Sequence, residues 1–283
     1  MKVIFRADDV GYTDTHNKGT WKTIEEGVVT AADLMLDCPG FEDACAYLKD
    51  KPWITIGWHT HMWGRPVLDP SEVPSMVNEE GRFKWRRDKK LMEEVNYDEA
   101  VREFRAQIER CQKLLGRIPE TCGKGRGTIG KAIQQVCDEY GIRYGFVGGV
   151  GYDGKEHFAD EPYRSLNIKE YVDLSKKHTK TLNVVDFPYY DPCGSILDMP
   201  IEEDTIWMRS QHPGYLDDYV LAESSATIVR VKDVEALTCD RIRNWVLDNK
   251  IELINTHDAL YGTSQYQDHL KQIGSPFWIG NMK

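Results

Sequence analysis

The stretch Lys2-Val3-Ile4-Phe5-Arg6-Ala7-Asp8-Asp9-Val10-Gly11 decides the fold. Lys2 to Ala7 reads as a short buried strand that runs into two acids. Thr13 to Glu26 then reads as a helix, with Thr15 able to cap it and Gly27 to stop it. Val28 to Leu36 is the next strand, Cys38-Pro39-Gly40 a turn, Phe41 to Leu48 a second helix, and Trp53 to Trp58 a third strand. Strand, helix, strand, helix, strand implies parallel strands joined by right-handed crossovers, an α/β architecture.

Further along, Met62 to Asn96 breaks the rhythm with Pro66, Pro70 and Pro74 and the basic cluster Lys84-Trp85-Arg86-Arg87. A segment of this length is either a functional loop or a solvated insertion. Tyr97 to Leu115 is an amphipathic helix, because Val101, Phe104, Ile108, Cys111 and Leu115 recur at three- and four-residue steps. Ile129 to Tyr140 is another, followed by a strand from Ile142 to Val147. Gly148 to Asp204 lacks periodicity and its path is not assigned. Thr205 to Arg209 and Ile251 to Thr256 read as strands around a helix from Val231 to Asp248. No linker divides the chain, so the expectation is one domain over 1–283 with insertions at about 62–96 and 148–204.

The chain has 283 residues, 41% hydrophobic and 29% charged, enough for a sizeable core. A net charge of -10 argues against nucleic acid as the main partner, since such binding relies on clustered Lys and Arg. No run approaches the ~20 apolar residues that span a bilayer. The N-terminus turns acidic too early for a signal peptide, which makes the expected location cytoplasmic. Seven scattered cysteines with no Cys-x-x-Cys spacing argue against a disulfide framework or a structural zinc site.

In alternating α/β folds the chemistry gathers at the carboxyl ends of the strands. Asp8 and Asp9 end the first strand, His59 and His61 the third, His212 a later one, and His257-Asp258 the last. Adjacent strand residues point to opposite sides, so Asp8 and Asp9 are expected to do different work, one as a metal ligand and the other as a general base or a turn cap. His59 and His61, two apart, point the same way on a strand. With Asp9 at a neighbouring strand end they suit a divalent metal; the competing reading is a pair of loop histidines. His212, stiffened by Pro213 and followed by Gly214, suits a general acid, or simply a turn histidine. His257-Asp258 ranks below it.

Gly125-Arg126-Gly127-Thr128-Ile129-Gly130-Lys131 fits the first seven positions of a phosphate-binding loop. Ala132 follows where the metal-binding hydroxyl belongs, and no clean strand precedes it, so a nucleotide-binding reading is weak. Lys124 and Arg126 before a helix N-terminus would still suit an anionic group.

Taken in order, several short motifs resemble the YdjC-like carbohydrate deacetylases, the group that includes chitooligosaccharide deacetylases. These are Ala7-Asp8-Asp9-Val10-Gly11, Asn17-Lys18-Gly19, Gly27-Val28-Val29-Thr30, Gly57-Trp58-His59, Gly64-Arg65-Pro66, Gly81-Arg82-Phe83, His212-Pro213-Gly214-Tyr215, Arg230 and Glu235-Ala236-Leu237-Thr238. The resemblance implies a distorted (β/α) TIM-like barrel and a metal-dependent hydrolase that removes an N-acetyl group from an amino sugar or short oligosaccharide. It makes Asp8 the base, His212 the acid, and Asp9 and His59 ligands of a divalent metal, Mg²⁺ or Zn²⁺. Lys124, Arg126 and Arg230 are the candidates for holding substrate. The expected partner is a small-molecule carbohydrate, with no nucleic acid and no membrane; homo-oligomerisation is left open.

One departure stands out. The family's Asp-x-His-x-His segment, which supplies the third ligand, corresponds here to Gly123-Lys124-Gly125-Arg126-Gly127. His61 can replace the lost ligand, or Asp9 and His59 can bind the metal weakly alone. Alternatively Lys124 or Arg126 replaces the cation, leaving a metal-free protein that binds an anionic sugar or catalyses a different sugar reaction.

Overall fold

A computed structural model of the chain describes residues 1–60, 62–86, 89–150, 155–172 and 187–282. His61 and part of the 148–204 insertion lie outside the described residues. Strand β1 (Lys2–Val10) is the axis of the molecule. Its Val3, Phe5 and Ala7 are fully buried and turn outward into the main core, beneath the helices. Its alternate residues Ile4, Arg6 and Asp8 turn inward, as the period of two requires.

Helix α1 (Asp14–Glu25) follows, then β2 (Ala31–Leu34), α2 (Phe41–Leu48) and β3 (Thr55–Trp58). Thr13 rather than Thr15 caps α1, its hydroxyl accepting from the backbone N–H of His16 at 3.1 Å. Next come α3 (Tyr97–Leu115), β4 (Thr121–Cys122), α4 (Gly127–Tyr140), β5 (Arg143–Tyr144), β6 (Gly149–Val150) and β7 (Ile168–Tyr171). The C-terminal part holds α5 (Pro192–Leu197), β8 (Ile206–Gln211), α6 (Asp218–Glu223), α7 (Arg230–Thr238), α8 (Asp240–Asp248), β9 (Glu252–Leu253), α9 (Thr256–Tyr261) and α10 (Gln265–Gln272).

Among the described residues the strands pair in the order β5-β4-β3-β2-β1-β8-β7-β6, all parallel. The sheet is curled into a half-barrel with helices outside, the α/β TIM-like architecture expected from the sequence. β9 joins beside β1, pairing Lys2 with Glu252 and Val3 with Leu253, while β2 takes over the later part of β1 from Arg6. β1 is thus gripped by β9 at its start and by β2 at its end.

The segment 62–96 is no solvated excursion. Val73, Met76, Phe83, Trp85 and Val95 are buried in the main core. Buried Glu103 on α3 accepts from the backbone N–H groups of Val67 and Leu68 at 2.9 and 3.0 Å, and Glu99 from that of Ser75 at 2.8 Å. The single helix read over Val231–Asp248 is two. Cys239 adopts an extended conformation (φ -72°, ψ 151°) and separates α7 from α8.

Candidate active site

The first acid, Asp8, faces into the curled sheet. Its carboxylate takes a two-pronged bond from Arg6, Nε to Oδ1 at 2.7 Å and Nη2 to Oδ2 at 3.1 Å. Burial pushes a carboxyl up, but Arg6, with help from His59 and His212, brings Asp8 down to about 2. The second acid departs from the strand. Asp9 has a left-handed backbone, φ 62°, and the register between β1 and β2 shifts between Ala7 and Val10. Asp tolerates this conformation better than most residues. The strict alternation expected of a strand is therefore broken, and both carboxylates converge on His59 instead of pointing to opposite sides. Asn17 fixes the bend, its Oδ1 accepting from the Gly11 N–H at 2.8 Å while its Nδ2 donates to Gly40 O and to Asp43.

Asp9 sits between two partners. Its Oδ2 receives Arg230 Nη2 at 2.6 Å, and its Oδ1 lies 2.9 Å from His59 Nε2. Burial works against the charge, yet Arg230 and His59 hold the carboxyl well below the ordinary range. The other ring nitrogen of His59 lies 3.9 Å from Asp33 Oδ2. Despite its burial, which favours the neutral ring, Asp9, Asp8 and Asp33 together raise the His59 pKa. Asp33 also lies 3.3 Å from Arg6 Nε, and burial, reinforced by Asp8 and Glu170, pushes it up to about 6. Donor atoms of Asp8, Asp33 and His59 all lie within 4.8 Å of one another, a grouping able to hold a metal ion.

Arg230 is not among the residues lining the neighbouring cavity. Only 1% exposed, it stands behind Asp9 and spends its guanidinium on Asp9, Ser224, the Ala226 carbonyl and the ring of His16. His16 is also fully buried; burial and the adjacent Arg230 lower its pKa and keep it neutral. His212 is close enough to lower both Asp8 and Asp9. Its turn is locked: the His212 N–H donates to Asp233 Oδ2 at 3.0 Å, and Thr20 Oγ1 donates to Pro213 O at 2.8 Å. Gly214 lies so close to α1 that a Cβ there would stand 2.1 Å from the His16 ring.

A cavity of about 310 Å³ opens beside these groups. Arg6, Asp33, His59 and Glu170 line it together with Trp58, Phe146, Val147 and Tyr163. Lys124 also lines it, with its ammonium 2.8 Å from Asp160. Arg126 is exposed, precedes α4 and is not among the lining residues. The glycines that imitate a phosphate loop have a packing role: a Cβ on Gly130 would stand 2.4 Å from the Gly125 backbone, so the loop lies directly on the helix. His257 pairs with Glu120, just ahead of β4, at 2.7 Å. Asp258 accepts from Thr263, Gln265 and Tyr266, closing the turn between α9 and α10. Sequence reasoning did not pick out Asp33, Arg6, Glu170, Asp160 or Asp233. For Arg6 and Asp33 the available signal was charge at inward positions of otherwise apolar strands, as in Ala31-Ala32-Asp33-Leu34.

The family model described as YdjC-like protein matches residues 2–248. The chain belongs to the YdjC-like family. It is 30% identical over 262 residues to a carbohydrate deacetylase of Brevibacillus brevis, spanning 90% of this chain and 98% of that one. It is 26% identical over 265 residues to carbohydrate deacetylase 2 of Listeria innocua, spanning 91% and 98%. Among solved structures, a proposed cellobiose-phosphate cleavage protein from Enterococcus faecalis is similar in fold to this YdjC-like chain. Its TM-score is 0.65 at 20% identity, covering 90% of this chain and 97% of that one. No helix among the described residues of this YdjC-like protein is long and apolar enough to cross a membrane.

Proposed function

We propose that the protein is a metal-dependent carbohydrate deacetylase that hydrolyses an N-acetyl group on an amino sugar or short oligosaccharide. The observation that carries this reading is the convergence of Asp8, Asp9 and Asp33 on His59, a ring that lines the cavity, in a chain whose curated relatives are carbohydrate deacetylases. Two donors on one octahedral cation with bonds of about 2.1 Å stand about 3 Å apart. Asp9 Oδ1 and His59 Nε2, at 2.9 Å, fit that requirement. We assign Asp9 and His59 as ligands of Mg²⁺ or Zn²⁺. The sequence offers His61, outside the described residues, as a third ligand; Asp33 faces the other ring nitrogen of His59, at 3.9 Å, and does not share an ion with Nε2 and Asp9. When bound, such a cation supplies Lewis acidity toward the acetyl carbonyl and acidifies water.

The chain's own residues carry the protons. Asp8, kept ionised by Arg6, takes a proton from the attacking water. The water oxygen bonds to the carbonyl carbon, and the C–N bond breaks. His212 gives a proton to the departing amine, so acetate and a free amino sugar result. The sugar lies in the cavity beside Lys124. Pairing with Asp160 makes Lys124 a hydrogen-bond donor to hydroxyls, not a free cation able to replace a metal.

The test measures metal content and release of acetate from an N-acetylglucosamine oligomer. His59→Ala is expected to lose both. Turnover that survives chelation and His59→Ala would sink the metal-dependent reading.

A further inference from the structure

We propose that Phe146 is the platform on which the substrate's sugar ring stacks, held in place by Asp160. This rests on the deacetylase reading above and gives a role in specificity to a residue that the motifs did not include and that the site description left as lining. Single exposed apolar side chains are ordinary on protein surfaces. Phe146 differs in where it stands and in how firmly its backbone is held.

Phe146 is 49% exposed and lines the same cavity as Asp33 and His59. The other aromatics of that wall, Trp58 and Tyr163, are buried, at 1% and 2% exposure. Among the described residues that line the cavity, Phe146 is thus the aromatic ring most open to an entering ligand. Its backbone is tied at both polar atoms. The Phe146 N–H donates to Asp160 Oδ2 at 2.7 Å, and the Asp160 N–H donates back to Phe146 O at 3.0 Å. The preceding Gly145 donates its N–H to Cys122 O at 3.1 Å, and a Cβ there would stand 3.0 Å from the Tyr163 ring. The same Asp160 carboxylate receives Lys124 Nζ at 2.9 Å. One acid thus fixes the backbone of an exposed ring and a neighbouring ammonium donor together at the rim.

A pyranose presents two kinds of surface, a face of C–H groups and an edge of hydroxyls. An aromatic ring in the same cavity as carboxylates and a guanidinium answers both, the ring taking the C–H face and the polar groups the hydroxyls. Because the backbone is already ordered, little conformational freedom is lost when the sugar arrives.

The experiment is calorimetric binding and steady-state kinetics of the metal-loaded protein with an N-acetylglucosamine oligomer. Phe146→Ala is expected to weaken binding about tenfold through KM, with kcat, metal content and thermal midpoint little changed. Phe146→Trp restores or tightens binding, which a merely structural role would not produce. Asp160→Asn, which keeps the shape but weakens the hold on Lys124, gives a smaller loss. If wild-type protein binds and turns over the oligomer and Phe146→Ala does so equally well, the stacking proposal is overturned and the deacetylase reading stands. If wild-type protein neither binds nor deacetylates it, both fall together.

Discussion

Arg230 reaches across 221 positions of sequence to place its guanidinium 2.6 Å from Asp9, and both side chains are almost wholly buried. A carboxylate in that position without its partner is an uncompensated buried charge. Arg230→Met is therefore expected to destabilise the fold by about 3–5 kcal/mol, measured by chemical denaturation. A loss under about 1 kcal/mol would mean that His59 and solvent suffice to hold Asp9.

Glu103 yields a pH prediction away from the site. It is fully buried, and burial, added to by Asp37, pushes its pKa from 4.5 to about 7 against three donated hydrogen bonds. Its folded value lies above its unfolded one, so the folded chain holds the proton longer. Stability is then expected to fall as pH rises between 4.5 and about 7. Asp33 and Asp37, each at about 6, act in the same direction. Denaturation midpoints across that range check the sign, and Glu103→Gln should flatten part of the slope. A midpoint that climbs over the same range contradicts the assignment.

Asp233 holds the His212 turn through Oδ2 while its Oδ1 takes Tyr190 and Gln211. If His212 delivers the proton to the amine, Asp233→Ala should lower kcat about 100-fold with KM little changed, because a displacement of about 1 Å is enough for that loss. Equal changes in both constants would point to a collapsed cavity instead.

Gly19 on α1 lies against the same turn. A Cβ there would stand 2.7 Å from the backbone of Gly214 and Tyr215, atoms that cannot swing aside as a flexible side chain would. Gly19→Ala is expected to lose about 1–3 kcal/mol of stability by overpacking and to lower activity by moving the His212 turn. Thermal midpoints and turnover, measured on the same preparation, should fall together.

Much of this could be read beforehand because local periodicity and long-range packing agree. Phe41–Leu48 and Tyr97–Leu115 form with the boundaries their apolar spacing gives. Asp8, Asp9, His59 and His212 announced themselves by their places at strand ends. Asp33 did not, because one acid within a four-residue strand carries no motif; its importance arises only when β1 and β3 flank it. The convergence of Asp8 and Asp9 was equally hidden, since it depends on one left-handed residue that periodicity treats as ordinary strand. Arg230 looked like a ligand-binding cation because a sequence cannot show that a charge already has a buried partner.

The grip of β9 on the start of β1 has a consequence in time. Ribosomal synthesis delivers Asp8 and Asp9 first, and Arg230, Asp233 and β9 only after more than three quarters of the chain. Until then Asp9 lacks its guanidinium and must stay hydrated, and Lys2 and Val3 at the start of β1 lack their partner strand on one side. Both ends of the first strand, the start that awaits β9 and the acidic end that awaits Arg230, are thus among the last places to close during biogenesis. An incomplete nascent chain carries both acids and no finished active site.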